Sequence, residues 1–155
     1  MLSRRSKYGL KALLLLARDD ADHPVLIAEL AGREAIPRKF LEAILLDLKR
    51  HGILESRKGK GGGYFLRRAP QEITFGEVIR ILEGPLALVP CVSKTAYSAC
   101  VECVDERTCG VRLAMKEVRD ATAHILDHLT LEDVNRRARA APRRAARRRA
   151  PRRTA

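Results

Sequence analysis

Residues 37–52 constrain the fold of this chain most strongly, because they read as a helix with both ends marked. Pro37 stands in the first helical turn, where its missing N–H costs nothing, and Gly52 follows the last residue of the periodic pattern. The helix is therefore predicted to run from Pro37 to about Arg50, with Leu41, Ile44, Leu45 and Leu48 on its core face.

The helix leads into a basic, glycine-rich turn. Two strand-like runs, residues 53–57 and 64–67, flank the sequence KGKGGG, which contains Lys58 and Lys60. A nucleotide-binding loop is disfavoured, since the Walker spacing GxxxxGK[ST] is absent and Tyr64-Phe65 follows instead of a helix. The pattern favours a DNA-contacting β-hairpin wing, and a merely flexible surface turn remains the alternative.

A second short helix is predicted at residues 25–32, with Gly32 as its stop, before a turn at residues 33–36. Two short helices joined in this way have the outline of a helix-turn-helix. On the exposed side of the helix from Pro37, the polar groups able to reach phosphates and base edges are Arg38, Lys39, Glu42 and Lys49.

Composition favours a mainly α fold. The 155 residues include no Trp and only 4% aromatics, so the 46% hydrophobic content must build its core largely from aliphatic side chains. A helix at residues 3–18 is apolar on so many sides that we expect it to be largely buried. Its wholly apolar run, residues 12–17, is far short of the roughly 20 residues that span a bilayer. We expect a cytoplasmic protein with no membrane contact.

Positive charge is concentrated in the C-terminal tail. Of the net charge of +12, ten arginines in residues 136–155 account for +10, which leaves 12 − 10 = +2 for residues 1–135. Such a tail is predicted to be disordered, and it either adds salt-sensitive attraction to phosphates or is simply solvated. No Ser, His and carboxylate form a recognisable nucleophile motif, so an enzyme is the least supported class.

All four cysteines fall in residues 90–109, with the spacing C-x8-C-x2-C-x5-C: Cys91, Cys100, Cys103 and Cys109. In a cytoplasmic protein such a cluster favours metal or redox ligands over structural disulfides. Four thiolates suit an iron–sulfur cluster, zinc or copper(I), and the spacing alone does not choose among them. His124 and His128 share a helical face, but they lack the general base of HExxH, and solvated histidines are the ordinary interpretation.

A long helix follows the cysteines. Apolar or small residues recur at spacings of 4, 3, 4, 3 and 4: Val111, Met115, Val118, Thr122, Ile125 and Leu129. Such a stripe packs either on its own domain or on a second subunit, and we favour a homodimer, which suits a palindromic DNA site. Capping sequences at Thr74–Glu77 and Thr130–Asp133 predict a helix before the cysteines and a short closing helix after the long one.

Over residues 2–134 this order of elements resembles the IscR/NsrR (Rrf-type) family of bacterial transcription regulators. The most specific matches are SKYGLKALLLLA at residues 6–17, FLExILxxL at residues 40–48, GGGY at residues 61–64, and Cys103-x5-Cys109 followed by Arg112. The resemblance implies a winged-helix dimer with the helix from Pro37 in the major groove and the wing near the minor groove of double-stranded DNA. It also implies that Lys39 and Glu42 face bases and that Lys58 is a wing cation.

The resemblance further implies an iron–sulfur cluster, [2Fe-2S] or [4Fe-4S], that alters operator binding. Cys91, Cys103 and Cys109 keep the family's three cysteine positions, and Cys100 is either a fourth ligand or a spare thiol. Arg112 and Lys7 occupy positions where some relatives have a His or an acidic ligand, so any cluster here is held by cysteine alone.

These observations predict four segments: a winged helix-turn-helix domain at residues 1–89, a cysteine-rich sensor loop at 90–109, a dimerisation helix with a closing helix at 110–134, and a tail at 135–155. The leading hypothesis is a DNA-binding transcription regulator gated by an iron–sulfur cluster. A zinc-stapled or cluster-free DNA-binding protein and an electron-transfer iron–sulfur protein are the alternatives.

Overall fold

A computed structural model describes residues 2–18 and 23–141. Within them the α-helices are α1 (Arg4–Leu16), α2 (Ile27–Glu34), α3 (Arg38–Arg50), α4 (Phe75–Glu83), α5 (Gly110–His128) and α6 (Leu131–Ala140). The strands are β1 (Leu54–Arg57) and β2 (Gly63–Leu66), and short 3-10 turns occupy Pro70–Glu72 and Pro90–Val92. The structure is thus mainly α with one small β-hairpin, as the sequence predicts. No helix in these residues is long and apolar enough to span a membrane.

The core lies where α1, α3 and α4 meet. The predicted core face of α3 is fully buried, and seven of the thirteen residues of α1 are buried, so both burial predictions are confirmed. Leu30 of α2, Val78 of α4 and Leu131 of α6 complete this core from other elements. Because the core draws on five helices, the exposed side of α3 is held in a fixed position.

The prediction that α2 stops at Gly32 is wrong. The helix continues to Glu34, and Ala35 ends it in a left-handed conformation, with φ 52° and ψ 46°. The Ile36 N–H donates to the Ala31 carbonyl over 2.9 Å, and the Ile36 side chain is buried. Burial of Ile36 therefore sets the end of the helix, and the turn before α3 comprises residues 35–37.

The hairpin is antiparallel and is joined to the segment before α2. Leu54 pairs with Leu66 and Arg57 with Gly63, within one residue of the predicted strand ends. Val25 adds a bridge, since its N–H and carbonyl each bond with the backbone of Tyr64 over 2.9 Å. The hairpin and the helix-turn-helix consequently form one connected unit.

We call α1 to α4 together with the hairpin the winged part of the chain. Polar contacts join it to the end of α5. The guanidinium of Arg80 in α4 donates to both carboxylate oxygens of Asp127 in α5, over 2.5 and 2.9 Å. Next to it, the Phe75 N–H donates to the Leu129 carbonyl over 2.9 Å. The end of α5 is thereby tied to the beginning of α4.

The closing helix α6 is longer than the sequence predicts. Thr130 and Asp133 form the expected reciprocal capping box, whereas Thr74 caps α4 with its own hydroxyl while the Glu77 carboxylate bonds Arg68. Asn135 is fully buried and donates to the Leu14 carbonyl over 3.0 Å. Anchored there, α6 continues to Ala140, so residues 136–140 are helical although the sequence predicts a disordered tail from residue 135. The rest of that tail, residues 142–155, lies outside the described residues.

Candidate nucleic-acid interface and cysteine loop

The first turns of α3 present three polar side chains to solvent. Arg38, Lys39 and Glu42 are all exposed and lie opposite or beside the buried face of the helix. In the part of the chain that the structure describes, neither Arg38 nor Lys39 has an ion-pair or hydrogen-bond partner. Both cations are therefore available to phosphate oxygens, and Glu42 to a base-edge donor such as a cytosine amino group.

Contacts with α1 fix the orientation of α3. The ring of Tyr8 meets that of Phe40 edge to face, with centroids 5.8 Å apart, and Arg5 pairs with Asp47. Lys11 holds the end of α2, since its ammonium lies 2.9 Å from a Glu34 carboxylate oxygen. The position of α3 is thus supported by side chains of α1, outside the helix-turn-helix itself.

The tip of the hairpin presents the two predicted wing cations. Lys58 and Lys60 are exposed, and among the described residues neither has a paired acid. Gly59 and Gly61, with φ of 93° and 78°, give the tip a conformation that other residues adopt only with strain. The structure therefore places cations at the end of a hairpin, as expected of a DNA-contacting wing.

Two further basic side chains take positions that the sequence did not reveal. Lys49, predicted to belong to the reading surface, donates instead to Ser56 of β1 over 2.6 Å and so joins α3 to the hairpin. The Arg57 guanidinium lies 5.9 Å from the centre of the Phe65 ring. Which strand residue Lys49 meets depends on where β1 begins and ends. The sequence predicted the strand ends only to within one residue, so it did not identify Ser56 as the partner.

All four cysteines line one cavity of about 560 Å³, between the Pro90–Val92 turn and the start of α5. Cys91 is buried, Cys100 is exposed, and Cys103 and Cys109 are intermediate. The loop between them is closed by the Tyr97 hydroxyl, which donates to Glu106 over 2.7 Å. The sequence cluster is therefore also a spatial cluster around a single cavity.

The thiols of Cys103 and Cys109 interact, and this interaction shifts their pKa values in opposite directions. Cys109 is the N-cap of α5, and the backbone N–H of Arg112, followed by the Cys103 thiol, lowers the pKa of Cys109. The same interaction with Cys109 raises the pKa of Cys103. One thiolate stabilised at a helix N-terminus, with a neighbouring thiol, is an arrangement suited to metal binding or to thiol oxidation.

The donor set suits an iron–sulfur cluster, because four soft thiol groups face one cavity. Within the described residues, however, no three His, Cys, Asp or Glu side chains are arranged to hold a metal ion. Ligation by all four cysteines thus requires the loop to draw them together. Arg112 also lines the cavity, 3.5 Å from a Glu106 carboxylate oxygen, and offers no ligand atom.

The predicted apolar stripe on α5 is exposed at three of its six residues in the single chain, and the other three, Met115, Thr122 and Leu129, are partly buried. Val111, Val118 and Ile125 are all exposed, at the spacing that predicts a pairing helix. His124 and His128 lie beside it with ring centroids 4.8 Å apart, and the His128 ring bonds the His124 carbonyl. Exposed valine and isoleucine at heptad spacing are typical of a surface that a second helix covers.

A helix-turn-helix with an unpaired basic face, followed by a basic hairpin, defines a winged-helix DNA-binding transcription regulator. Comparison with known proteins agrees: residues 2–137 match the Rrf2 family, described as an iron-dependent transcriptional regulator. The chain belongs to the Rrf2 family, which confirms the resemblance to IscR and NsrR.

Individual relatives cover nearly all of the described chain. A Rhodobacter capsulatus protein named as a putative rrf2-like HTH-type transcriptional regulator is 42% identical over 137 residues, 86% of this chain and 91% of the relative. The structure of CymR, the global cysteine regulator of Bacillus subtilis, superposes with a TM-score of 0.74 at 29% identity, over 88% of this chain and 97% of CymR. That of T. potens IscR has a TM-score of 0.69 at 27% identity, over 89% and 88%.

Proposed function

We propose that this protein is a homodimeric regulator that binds a palindromic operator in double-stranded DNA and responds to an iron–sulfur cluster held by its cysteine loop. The observation that carries the proposal is that all four cysteines line one cavity at the base of α5. The cavity is lined by Pro90 and Cys91, which follow the winged part in the chain, and by Val111 of the α5 stripe, so a cofactor there would contact the start of the proposed dimerisation helix.

In the proposed DNA complex, α3 enters the major groove and the hairpin reaches the adjacent minor groove. Lys39 and Glu42 would face base edges, while Arg38, Lys58 and Lys60 would contact phosphates or the groove wall. The support is that all five are exposed and that the four cations have no partner among the described residues. In a dimer, two such units related by a two-fold axis read two half-sites.

Binding to a palindromic duplex at several salt concentrations tests this assignment. Lys58→Ala should weaken binding to all sequences alike and reduce the magnitude of the salt slope by about 1, since each phosphate contact releases about one counterion. Lys39→Ala, if that side chain reads a base, should cost about 1–3 kcal/mol and relax specificity at one position. Lys116→Ala, an exposed cation on α5, is the matched control. Equal losses from all three variants would contradict the proposed reading face.

In the proposed sensor, Cys91, Cys103 and Cys109 hold the cluster and Cys100 supplies the fourth sulfur. The bound cluster would supply a redox- and nitric oxide-sensitive centre that can be lost when iron is scarce. Cys109 is also the N-cap of α5, so any change in its ligation acts directly on the first turn of that helix. The family's description as iron-dependent supports this assignment.

Anaerobic purification followed by iron, sulfide and zinc determination tests the sensor. We expect iron, sulfide and visible absorption, and a different DNA affinity after the cluster is removed. Cys91→Ala, Cys103→Ala and Cys109→Ala should each abolish the absorption, whereas Ser98→Ala, on the same cavity wall, should preserve it. About one zinc per chain without iron, or DNA binding indifferent to all three cysteine substitutions, would overturn the sensor.

A cluster-free thiol regulator is the second candidate, favoured because Cys103 and Cys109 line the same cavity and shift each other's pKa. These two thiols could be oxidised to a disulfide without any metal. Protein purified without iron or zinc, whose DNA affinity changes reversibly with oxidant and reductant, would support this candidate. Cys100→Ala distinguishes the two, because it should weaken a four-cysteine cluster but leave a Cys103–Cys109 disulfide intact.

A further inference from the structure

One guanidinium of α5 is buried without the hydrogen bonds that such a group requires. Arg119 is 8% exposed and is the only buried residue of α5, a helix described in full. Its Nε and Nη1 atoms make no hydrogen bond within the described residues. Nη1 lies 3.2 Å from an Asp120 carboxylate oxygen, but without the direction that a hydrogen bond needs. A buried cation with unused donors is costly unless an acceptor comes to it.

A cavity of about 230 Å³ lies against this side chain. It is lined by Arg80 of α4, by residues 85–87, by Ser93, Lys94 and Thr95 of the cysteine loop, and by Arg119 and Ala123 of α5. The Ser93 hydroxyl oxygen accepts the Ala96 N–H over 2.9 Å, which leaves its own proton free to be donated. The wall thus combines two guanidinium groups, those of Arg80 and Arg119, with one ammonium and two hydroxyl groups.

The charges around the cavity do not cancel. Asp120 is the carboxylate nearest Arg119, and it also pairs with Lys94 at 3.7 Å and Lys116 at 3.3 Å. Three cations therefore share one carboxylate, which leaves two positive charges uncompensated among the described residues. Arg80 does not change this balance, because its cation is matched by the two hydrogen bonds it donates to Asp127.

We propose that this cavity binds a small oxyanion, either a carboxylate or a phosphate, with Arg119 as its principal donor. An oxyanion satisfies the unused guanidinium donors, offsets the excess positive charge and accepts from the hydroxyls of Ser93 and Thr95. The volume lies below the roughly 300 Å³ at which drug-sized sites begin, so the ligand is small. An occupant would contact α4, the segment before Cys100 and α5 together. The site contains no cysteine and none of the proposed DNA-contacting residues.

Thermal unfolding of the full chain tests the site directly. Phosphate, succinate and acetate are added separately, with chloride at matched ionic strength as the reference. At about 100 times its Kd the oxyanion should raise Tm by about 5–10 °C along a saturating curve. A response to phosphate alone identifies a phosphate ligand, and a response to succinate or acetate alone identifies a carboxylate. The absence of a saturating rise with all three overturns the proposal.

Variants then connect the response to the side chains. Arg119→Met should abolish it, while Arg107→Met, which removes an exposed cation from the cysteine loop, should preserve it. If Arg119→Met does not fold, the double variant Ser93→Ala/Thr95→Val should weaken binding of the same anion by about tenfold. A response that survives Arg119→Met refutes the proposal. The proposal is also refuted if the wild type shows no response and its dimer dissociates when Arg119 is replaced by Met, because a second chain then supplies the missing acceptors.

Discussion

The winged part of the molecule and the region formed by the cysteine loop and α5 differ in what completes them. In the winged part, α1 and α3 bury whole faces against one another and against α4. In α5, by contrast, the only buried residue is a charged one, Arg119, and three of the six stripe residues are exposed. The first region buries its apolar faces within one chain, whereas among the described residues the second leaves part of an apolar stripe exposed and Nε and Nη1 of Arg119 without hydrogen bonds.

This contrast indicates where stability and regulation lie. A region completed by its own packing should unfold as a unit and lose stability with any core substitution. A region that depends on a cofactor, an anion or a second chain should change little in the isolated subunit when its exposed groups are altered, and change strongly in binding or assembly. The four predictions below test that division, from the largest expected effect to the smallest.

A core substitution in α3 should have the largest effect. Leu45 is fully buried, so Leu45→Ala should lower the free energy of unfolding by about 3 kcal/mol through lost burial and an unfilled cavity. Leu46→Ala is the matched control on the next residue, which is 43% exposed and should lose less than about 1 kcal/mol. Urea unfolding followed by circular dichroism measures both. Similar losses for the two would mean that α3 does not pack as described.

The hairpin should tolerate a side chain at one glycine and not at another. Gly63 has φ of 148°, and a Cβ there would collide with the backbone of Val25. Gly63→Ala should therefore cost about 2 kcal/mol or more and disturb the bridge to Tyr64. Gly61→Ala meets only the cost of its positive φ, about 1 kcal/mol, because its Cβ would point into open space. Urea unfolding compares the variants, and a greater loss for Gly61→Ala would refute the described hairpin.

The sequence predicted elements that periodicity and local capping determine. The core face of α3 and the reciprocal cap at Thr130 follow from spacing and from a side chain bonding its own helix end. It failed where packing against distant parts of the chain decides where a helix ends, as at Ile36, whose burial follows the end of α2, and at Asn135, which bonds Leu14 and anchors α6. The burial of Arg119 could not be predicted from the sequence either, because an arginine on a long helix is ordinarily exposed to solvent.

For the candidate site too, local features were predictable from the sequence and tertiary contacts were not. The exposure of Lys39 and Lys58 was predictable, because exposed positions on a helix and at a turn follow from the local pattern. The interaction between Cys103 and Cys109 was not, because the path of a loop depends on contacts such as that of Tyr97 with Glu106. Spacing specified which residues could be ligands, and tertiary structure decided which of them meet.

Pairing of α5 is the next test of the comparison. Ile125 is 62% exposed in the single chain, so Ile125→Ala should hardly change the free energy of unfolding of one subunit. If the stripe pairs two chains, the same change removes buried apolar surface and should weaken dimerisation by about tenfold or more. Sedimentation at several concentrations measures this, with Glu117→Ala, exposed on another face of α5, as the control. Unchanged dimerisation by Ile125→Ala would place the dimer contact elsewhere.

The smallest expected effect is at the junction between the two regions. The hydrogen bonds from Arg80 are the main cause that lowers the pKa of Asp127 below its ordinary value. Because the folded-state pKa is the lower one, this pair contributes stability above the unfolded value of about 3.9 and loses it as pH falls further, through the folded-state pKa.

Asp127→Asn tests that contribution. The Asp127 side chain is 39% exposed, so solvent screening should limit the loss to about 0.5–1 kcal/mol at neutral pH. The free energy of unfolding, measured from pH 7 down to about pH 2, should become equal for the wild type and the variant below about pH 4. Protonation of Asp127 in the wild type then removes the ion pair that the variant already lacks. Glu117→Gln, a carboxylate of α5 without an ion pair among the described residues, should run parallel to the wild type instead. A constant difference between wild type and Asp127→Asn at every pH would show that packing around Gly76, which lies against Asp127, joins the two regions and that the charge pair does not.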